Sequence, residues 1–355
     1  MLDAGAGVGG PRSAGAPRYT RAMPEIRRGA ANAVHVCLAV GPRDRVVILS
    51  DRSREHIGQA LAAECELAEA PTRLLLIEDY VTRPARTAAP DHLNQEVDDF
   101  KPTVTFYAAS KQEGELPFRS PLTNHWVYEL GARHGHMIGI DDQLMEEGMA
   151  SDYEKVAALT LQVNEIVRDA RDIEVQAPSG TDLRARLDPG RLRWVPCTGL
   201  IHEPGTWSNL PDGETYTSPA QVDGVLGGEV LGDHFSERYG VLPEAMLFEI
   251  GESRIRSIAF PDEEVRLDVQ KYMAQHENSN RAGEFAIGTN VGLTRLSGNL
   301  LQDEKIPGLH IAFGNPYPRE TGADWDAPSH CDVVSTRATI KVDGQYLMRD
   351  GTFVF

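Results

Sequence analysis

The sequence predicts two units of different class: an α/β N-terminal domain with a parallel, doubly wound sheet, and an α+β C-terminal domain. Three observations support this prediction. Apolar strand signals alternate with amphipathic helix signals over residues 24–170, which is typical of a parallel sheet. Strand signals with strict alternation begin at residue 172. The chain of 355 residues is also longer than one hydrophobic core usually supports.

The first unit is built from helices and strands in regular order. Apolar residues at helical spacing predict helices over residues 24–42, 54–68, 122–134 and 152–170. Short apolar runs rich in β-branched residues predict buried strands over 45–50, 72–77, 103–108 and 136–140. No glycine-rich loop follows the first strand, and the glycine pattern at residues 5–10 follows no strand. The sequence therefore predicts no nucleotide site here.

The second unit begins where the pattern changes to alternation. Residues 172–177 and 183–187 alternate on either side of a Pro-Ser-Gly turn, which predicts a β-hairpin. Further strand signals follow at residues 229–231, 245–250, 255–259, 339–342 and 351–355. One helix signal lies at 261–276. We therefore place a boundary near residue 171, with the first unit over 23–171 and a metal-binding catalytic unit over 172–355.

The composition limits the partners and the compartment. A net charge of −18 argues against nucleic acid or an anionic membrane as the main partner. The sequence has no apolar run long enough to span a bilayer. Residues 1–22 lack the apolar centre of a signal peptide and are expected to be a disordered extension, with Met23 as a candidate start of translation. The four cysteines lie far apart, as reduced thiols of a cytoplasmic protein do.

The candidate chemistry is concentrated between residues 283 and 332. Glu284 lies among small and apolar residues, where an unpaired carboxylate would be costly to bury, so a metal or a cation is expected beside it. His330 and Asp332 flank Cys331. If this segment is a strand, alternation points the imidazole and the carboxylate one way and the thiol the other way, into packing. We therefore expect Cys331 not to be a ligand.

Three further residues are weaker candidates when taken alone. His310, in an apolar strand, could be a core histidine, but with His330 and Asp332 it completes a two-histidine, one-carboxylate metal set. Tyr317 lies between two prolines and could either pack at the surface or donate to a developing oxyanion. Glu214 follows a Pro-Asp-Gly turn and would by itself be read as an exposed turn acid.

Several stretches of the second unit resemble, in order, the M29 (aminopeptidase T-like) metalloaminopeptidases. These stretches are residues 209–219, 283–290, 298–305, 309–314 and 329–332. The resemblance implies two divalent metal ions, Zn, Co or Mn, with six ligands: Glu214, Glu284, Glu304, His310, His330 and Asp332. It also implies that Glu284 is the general base, that Tyr317 is catalytic, and that the protein is a homodimer. Where the family usually has His-Trp-Asp, this chain has His-Cys-Asp.

The expected function is hydrolysis of an amide or peptide bond in a small amide or at a peptide N-terminus. A first alternative is a mononuclear Fe(II) ring-opening dioxygenase of a hydroxylated N-heterocycle such as 2,5-dihydroxypyridine, because such enzymes are similar in fold and size. In that branch a histidine stands where this chain has Glu284 and an apolar residue where it has His310. Both residues therefore favour the hydrolase, although His310, His330 and Asp332 would suffice for one iron. A second alternative is a metal-free binding protein.

Overall fold

The computed structural model describes residues 24–232 and 234–355. The predicted extension over residues 1–22 lies outside the described residues. Ten α-helices are present in the described part of the chain: α1 Pro24–Ala31, α2 Glu55–Leu67, α3 Asp91–Phe100, α4 Leu116–Asn124, α5 Asp142–Glu146, α6 Tyr153–Val167, α7 Phe235–Tyr239, α8 Glu263–Met273, α9 Leu300–Asp303 and α10 Pro318–Thr321. Of these helices, none is long and apolar enough to cross a bilayer.

The same residues form nineteen strands in three sheets. The strands are β1 Val46–Ser50, β2 Thr72–Leu76, β3 Val104–Ala108, β4 Arg133–His136, β5 Asp172–Gln176, β6 Asp182–Arg186, β7 Val195–Cys197, β8 Trp207–Asn209, β9 Glu214–Thr217, β10 Gln221–Gly228, β11 Val230–Leu231, β12 Met246–Gly251, β13 Arg254–Ala259, β14 Ala282–Gly288, β15 Gly308–Gly314, β16 His330–Thr336, β17 Thr339–Val342, β18 Gln345–Arg349 and β19 Thr352–Phe353.

The first sheet is parallel and has the order β2-β1-β3-β4-β8. Strands β1 and β3 are buried at every position, because helices cover both faces. The predicted doubly wound α/β arrangement is confirmed. The edge strand β8 comes from residues 207–209, so the chain returns to this sheet after it has formed the hairpin of β5 and β6.

Two predicted elements of the first sheet lie elsewhere in the structure. The strand expected over residues 136–140 is β4 at Arg133–His136. Its Gly135 is closely packed, since a Cβ there would lie 3.1 Å from the side chains of Phe106 and Leu210. The helix expected over 122–134 begins earlier, as α4, and continues as a π-helical turn over His125–Glu129. Helix α3 was not predicted.

The other two sheets are antiparallel and pack against each other. An eight-stranded sheet has the order β13-β12-β10-β6-β5-β17-β18-β19, and a six-stranded sheet has the order β11-β16-β15-β14-β9-β7. One hydrophobic core lies between them, in which Phe248 of β12 stacks on Phe313 of β15 with ring centroids 5.8 Å apart. The predicted α+β character of the second half is confirmed, and the opposite face of the six-stranded sheet is left available for polar side chains.

An ion network fills the carboxyl edge between β1 and β3, where many doubly wound sheets bind ligands. Asp51, which follows β1, accepts hydrogen bonds from the backbone N–H and the hydroxyl of Ser110, both at 2.6 Å. The Arg83 guanidinium bridges Asp51 and Glu115. Burial raises the pKa of Asp51, but the hydrogen bonds from Ser110 and Ser53 and the charge of Arg83 outweigh burial and lower the pKa to about 2.

Removal of the Arg83 guanidinium is expected to destabilise the protein strongly. In Arg83→Ala, Asp51 and Glu115, whose side chains are fully buried, would lose their cation. Breaking a buried ion pair in this way costs about 3–5 kcal/mol, which urea unfolding would measure. The matched control is Arg52→Ala, whose pair with Asp79 is exposed and is worth less than about 1 kcal/mol. Equal stability of the two variants would contradict this account.

Candidate active site

Five of the six predicted metal ligands project from one face of the six-stranded sheet. They come from four adjacent strands: Glu214 on β9, Glu284 on β14, His310 on β15, and His330 and Asp332 on β16. Successive side chains of a strand point to opposite faces. The residues between them therefore point into the core, as Phe285, Ile311 and Cys331 do. Cys331 lies on the core side, where alternation along the strand predicts it.

The strand register places small residues between the functional ones. Ala312 on β15 pairs with Glu284 on one side and with Asp332 on the other. Ala286 on β14 pairs with His310. Because alanine side chains rise little above the sheet, the larger polar side chains converge in the space above them. The register thus brings residues that are far apart in sequence to one point.

His310 is at the centre of this group and contacts three carboxylates. Its Nε2 lies 3.1 Å from Glu284 Oε1, 3.3 Å from Glu214 Oε2 and 3.9 Å from Asp332 Oδ1. Burial lowers the pKa of His310, but the hydrogen bond to Glu284 and the charges of the carboxylates outweigh burial and raise the pKa to about 9. The site therefore has an excess of negative charge that favours a cation.

His330 is oriented by the backbone. Its Nδ1 donates to the carbonyl oxygen of Asn315 at 3.0 Å, which leaves Nε2 directed at the carboxylates. That Nε2 lies 3.4 Å from Asp332 Oδ1 and 3.7 Å from Glu284 Oε2. Burial lowers the pKa of His330, but Asp332 and Glu284 outweigh burial and raise the pKa to about 10. A backbone carbonyl behind a histidine is a common arrangement in metal sites.

The sixth predicted ligand, Glu304, lies beside the others but pairs with Lys305, which the sequence did not single out. Lys305 Nζ lies 2.8 Å from Glu304 Oε1 and 2.6 Å from Glu214 Oε1. Asp212, a buried residue that was also not predicted, lies 3.8 Å from the same nitrogen. Burial raises the pKa of Glu304 to about 8, although Lys305 opposes this. A lysine directly after Asp303-Glu304 was the only signal for this pair in the sequence.

Tyr317 lies over the same group from the loop after β15. Its ring centroid is 4.8 Å from that of His330 and 5.7 Å from that of Tyr216. The residue has a left-handed backbone conformation with φ 51°, which is uncommon for a non-glycine residue and recurs at functional sites. Burial and the charges of Glu284 and Asp332 raise the pKa of the phenol well above its usual range. The phenol therefore keeps its proton and can act as a donor.

Most of these side chains line a cavity of about 1240 Å³: Glu214, Glu284, Glu304, Lys305, Tyr317, His330 and Asp332. Elements of the parallel sheet form another part of its wall, including His136 on β4 and Trp207 on β8. The cavity therefore lies between the parallel sheet and the six-stranded sheet. Glu284, Tyr317 and His330 line it, so a molecule of moderate size could reach them.

The donor set fits a divalent metal ion. Four groups of residues, in each of which the possible ligand atoms lie within 4.8 Å of one another, overlap in this site: Glu214, Glu284 and His310; Glu284, His330 and Asp332; Glu304, His310 and Asp332; and Cys197, Asp212 and Glu214. Nitrogen and oxygen donors of this kind suit Zn, Co, Mn or Fe. In addition, Glu214 Oε2 is buried without a hydrogen-bond partner, as expected of an atom that faces a cation.

Comparisons with known proteins agree with the overall fold. The fold is similar to that of wild-type AmpT from Thermus thermophilus, with a TM-score of 0.69, 15% identity, and coverage of 93% of this chain and 99% of that chain. It is also similar to 2,5-dihydroxypyridine dioxygenase from Pseudomonas putida KT2440, with a TM-score of 0.67, 16% identity, and coverage of 93% and 96%. At these identities the likeness concerns the fold alone.

Comparison with curated proteins finds no match. The family model described as thermophilic metalloprotease (M29) matches residues 142–334, which is more than half of the chain. The matched range contains all six predicted ligands and Tyr317. The chain therefore belongs to the M29 family of thermophilic metalloproteases.

Proposed function

We propose that this protein is a metal-dependent hydrolase that cleaves an amide or peptide bond. The observation that carries the proposal is the position of Glu284 between two imidazoles. Its Oε1 lies 3.1 Å from His310 Nε2, and its Oε2 lies 3.7 Å from His330 Nε2. A buried carboxylate next to two metal-binding imidazoles, at the wall of a cavity, is suited to accept a proton from water.

His310, His330, Asp332 and Glu284 would hold the metal ion, which when bound lowers the pKa of water and polarises the substrate carbonyl. Glu284 accepts the proton of the attacking water and passes it to the departing amine, so that the C–N bond is replaced by a C–O bond with no net gain or loss of protons. Tyr317 donates a hydrogen bond to the oxygen of the carbonyl as negative charge develops there.

The substrate is proposed to be a small amide or the N-terminus of a peptide. A cavity of about 1240 Å³ can accept either one. Glu320 and Glu203 at its wall add negative charge, which favours a substrate with a free amino group. The cytoplasmic location stays a prediction from the sequence, and the homodimer stays a prediction from the family resemblance.

One observation favours a second candidate, a mononuclear Fe(II) dioxygenase. His310, His330 and Asp332 lie together as a two-histidine, one-carboxylate set, and Nε2 of each histidine is within 3.9 Å of Asp332 Oδ1. That set would leave Glu284 and Glu214 without a required role, whereas the hydrolase uses Glu284 directly. For this reason the hydrolase is the preferred proposal.

The test is to remove metal with a chelator, reload the protein and assay both reactions. Zn, Co and Mn would be added in air and Fe(II) without oxygen. A panel of aminoacyl amides and short peptides would be assayed by amine release, and 2,5-dihydroxypyridine by oxygen uptake. We expect amine release that requires added metal and consumes no oxygen. Oxygen uptake with Fe(II) alone would replace the hydrolase with the dioxygenase, and neither reaction with any metal would favour a binding protein.

A further inference from the structure

We propose that Lys305 takes the place of a second metal ion, so that the centre contains one divalent ion and one fixed ammonium group. This inference rests on the proposed metal-dependent function and specifies the number of ions. Lys305 Nζ lies 2.6 Å from Glu214 Oε1 and 2.8 Å from Glu304 Oε1, and its side chain is only 1% exposed. A side-chain cation thus already lies between two of the six carboxylate and imidazole ligands that were expected to share two ions.

The backbone holds Lys305 in this position. Its N–H donates to the carbonyl oxygen of Gln302 at 2.9 Å, and its own carbonyl oxygen accepts from the N–H of Asn290 at 2.9 Å. The following residue, Ile306, approaches β14 so closely that a Cβ on Gly288 would lie 2.0 Å from the Ile306 carbonyl oxygen. The lysine therefore comes from a segment that is packed directly against the sheet that carries the other ligands.

The ammonium divides the predicted ligands into two sets. Glu214 and Glu304 each direct one oxygen at Lys305, and Asp212 lies 3.8 Å from it. Glu284 and Asp332 have only His310 and His330 as ion-pair partners among the described residues. The second set, two imidazoles and two carboxylates, is a complete donor set for one divalent ion.

A second divalent ion on the Glu214 side would meet two obstacles. It would have to replace the ammonium at Glu214 Oε1 and at Glu304 Oε1, and it would lie next to a like charge that the packed segment holds in place. Lys305 supplies positive charge at this point whether or not a metal ion is bound. The charge is therefore present before a metal ion or a substrate binds.

The experiment counts metal ions per chain in the full-length protein. Wild type, Lys305→Met and Lys305→Arg would be stripped with a chelator, titrated with Co(II) or Zn(II) in a calorimeter and then dialysed for mass spectrometry. We expect one ion per chain in wild type and in Lys305→Arg, which keeps the charge. We expect two ions per chain in Lys305→Met, because the neutral side chain frees both carboxylates.

The outcomes separate this inference from the proposed function. Two ions in the wild type, or one ion in a folded Lys305→Met variant, would overturn the role of Lys305 and leave the hydrolase intact. No ion in the wild type would overturn both. One ion in the wild type without amine release would contradict the hydrolase and agree with the role of Lys305.

A second variant keeps the inference testable if Lys305→Met does not fold. In Glu304→Gln the amide oxygen can still accept from Lys305, and the remaining set around His310 and His330 is unchanged. We therefore expect Glu304→Gln to retain one ion per chain, with circular dichroism and the melting temperature as checks of folding. Loss of that ion would show that Glu304 is a metal ligand and would overturn the inference.

Discussion

Replacement of Glu284 by Gln is expected to lower the rate of amide hydrolysis by about 10²–10⁴-fold, the usual contribution of a general base. The substitution keeps the shape of this buried side chain, and the amide oxygen can still face His310 Nε2, which is 3.1 Å away in the wild type. The amide cannot accept the proton of the attacking water. Steady-state kinetics with the best substrate of the panel would measure the effect on kcat.

The matched control is Glu277→Gln. Glu277 is an exposed carboxylate beyond the end of α8 and does not line the cavity. Its variant should hydrolyse the substrate at the wild-type rate. The metal content of Glu284→Gln separates the two roles proposed for Glu284: a loss of rate with the ion retained comes from its role as base, whereas loss of the ion shows that its role as ligand is the larger one. Hydrolysis at the wild-type rate in Glu284→Gln would remove this residue from the mechanism.

His330→Ala is expected to weaken metal binding by more than about 100-fold. Removal of an outer partner of a metal ligand typically costs about 10–100-fold in affinity, and removal of a donor itself costs more. The imidazole is held by the Asn315 carbonyl and directed at Asp332, so no neighbouring side chain on β16 can take its place. Calorimetric titration with Zn(II) would give the affinity.

A histidine outside the site provides the control for this variant. His276 is exposed beyond the end of α8, and His276→Ala should bind metal as the wild type does. If His330→Ala kept the wild-type affinity, the centre could not be the one described, and the ligands would have to be sought elsewhere. Equal losses in both variants would indicate nonspecific binding by surface histidines.

The parts of the site that the sequence predicted are those that depend on strand alternation. The spacing of His330, Cys331 and Asp332 determines which side chains share a face, and the structure has that arrangement. Alternation is a local property, so it can be read without knowing which strands pair. The resemblance to the M29 family was confirmed by the family match over residues 142–334.

The parts that the sequence did not predict depend on contacts between distant segments. Lys305 is 1% exposed and belongs to a segment whose next residue, Ile306, approaches Gly288 closely, which the sequence pattern does not show. Likewise, β8 has three residues and no apolar pattern, and it is a strand because β4 offers it an open edge. The strand β4 was misplaced because Met137 and Ile140, which are apolar, are buried just beyond its end.

The return of the chain to the parallel sheet has a mechanical consequence. Only four residues, 210–213, separate the last residue of β8 from Glu214, the first carboxylate of the centre. They are tethered as well, because the Asp212 N–H donates to the Tyr153 hydroxyl and its carbonyl oxygen accepts from Asn290. A rotation of the parallel sheet that widened the cavity would displace Glu214 and thereby disturb its ion pair with Lys305. A change in the width of the cavity would therefore also change the position of Glu214 relative to Lys305, and with it the charge distribution in the centre.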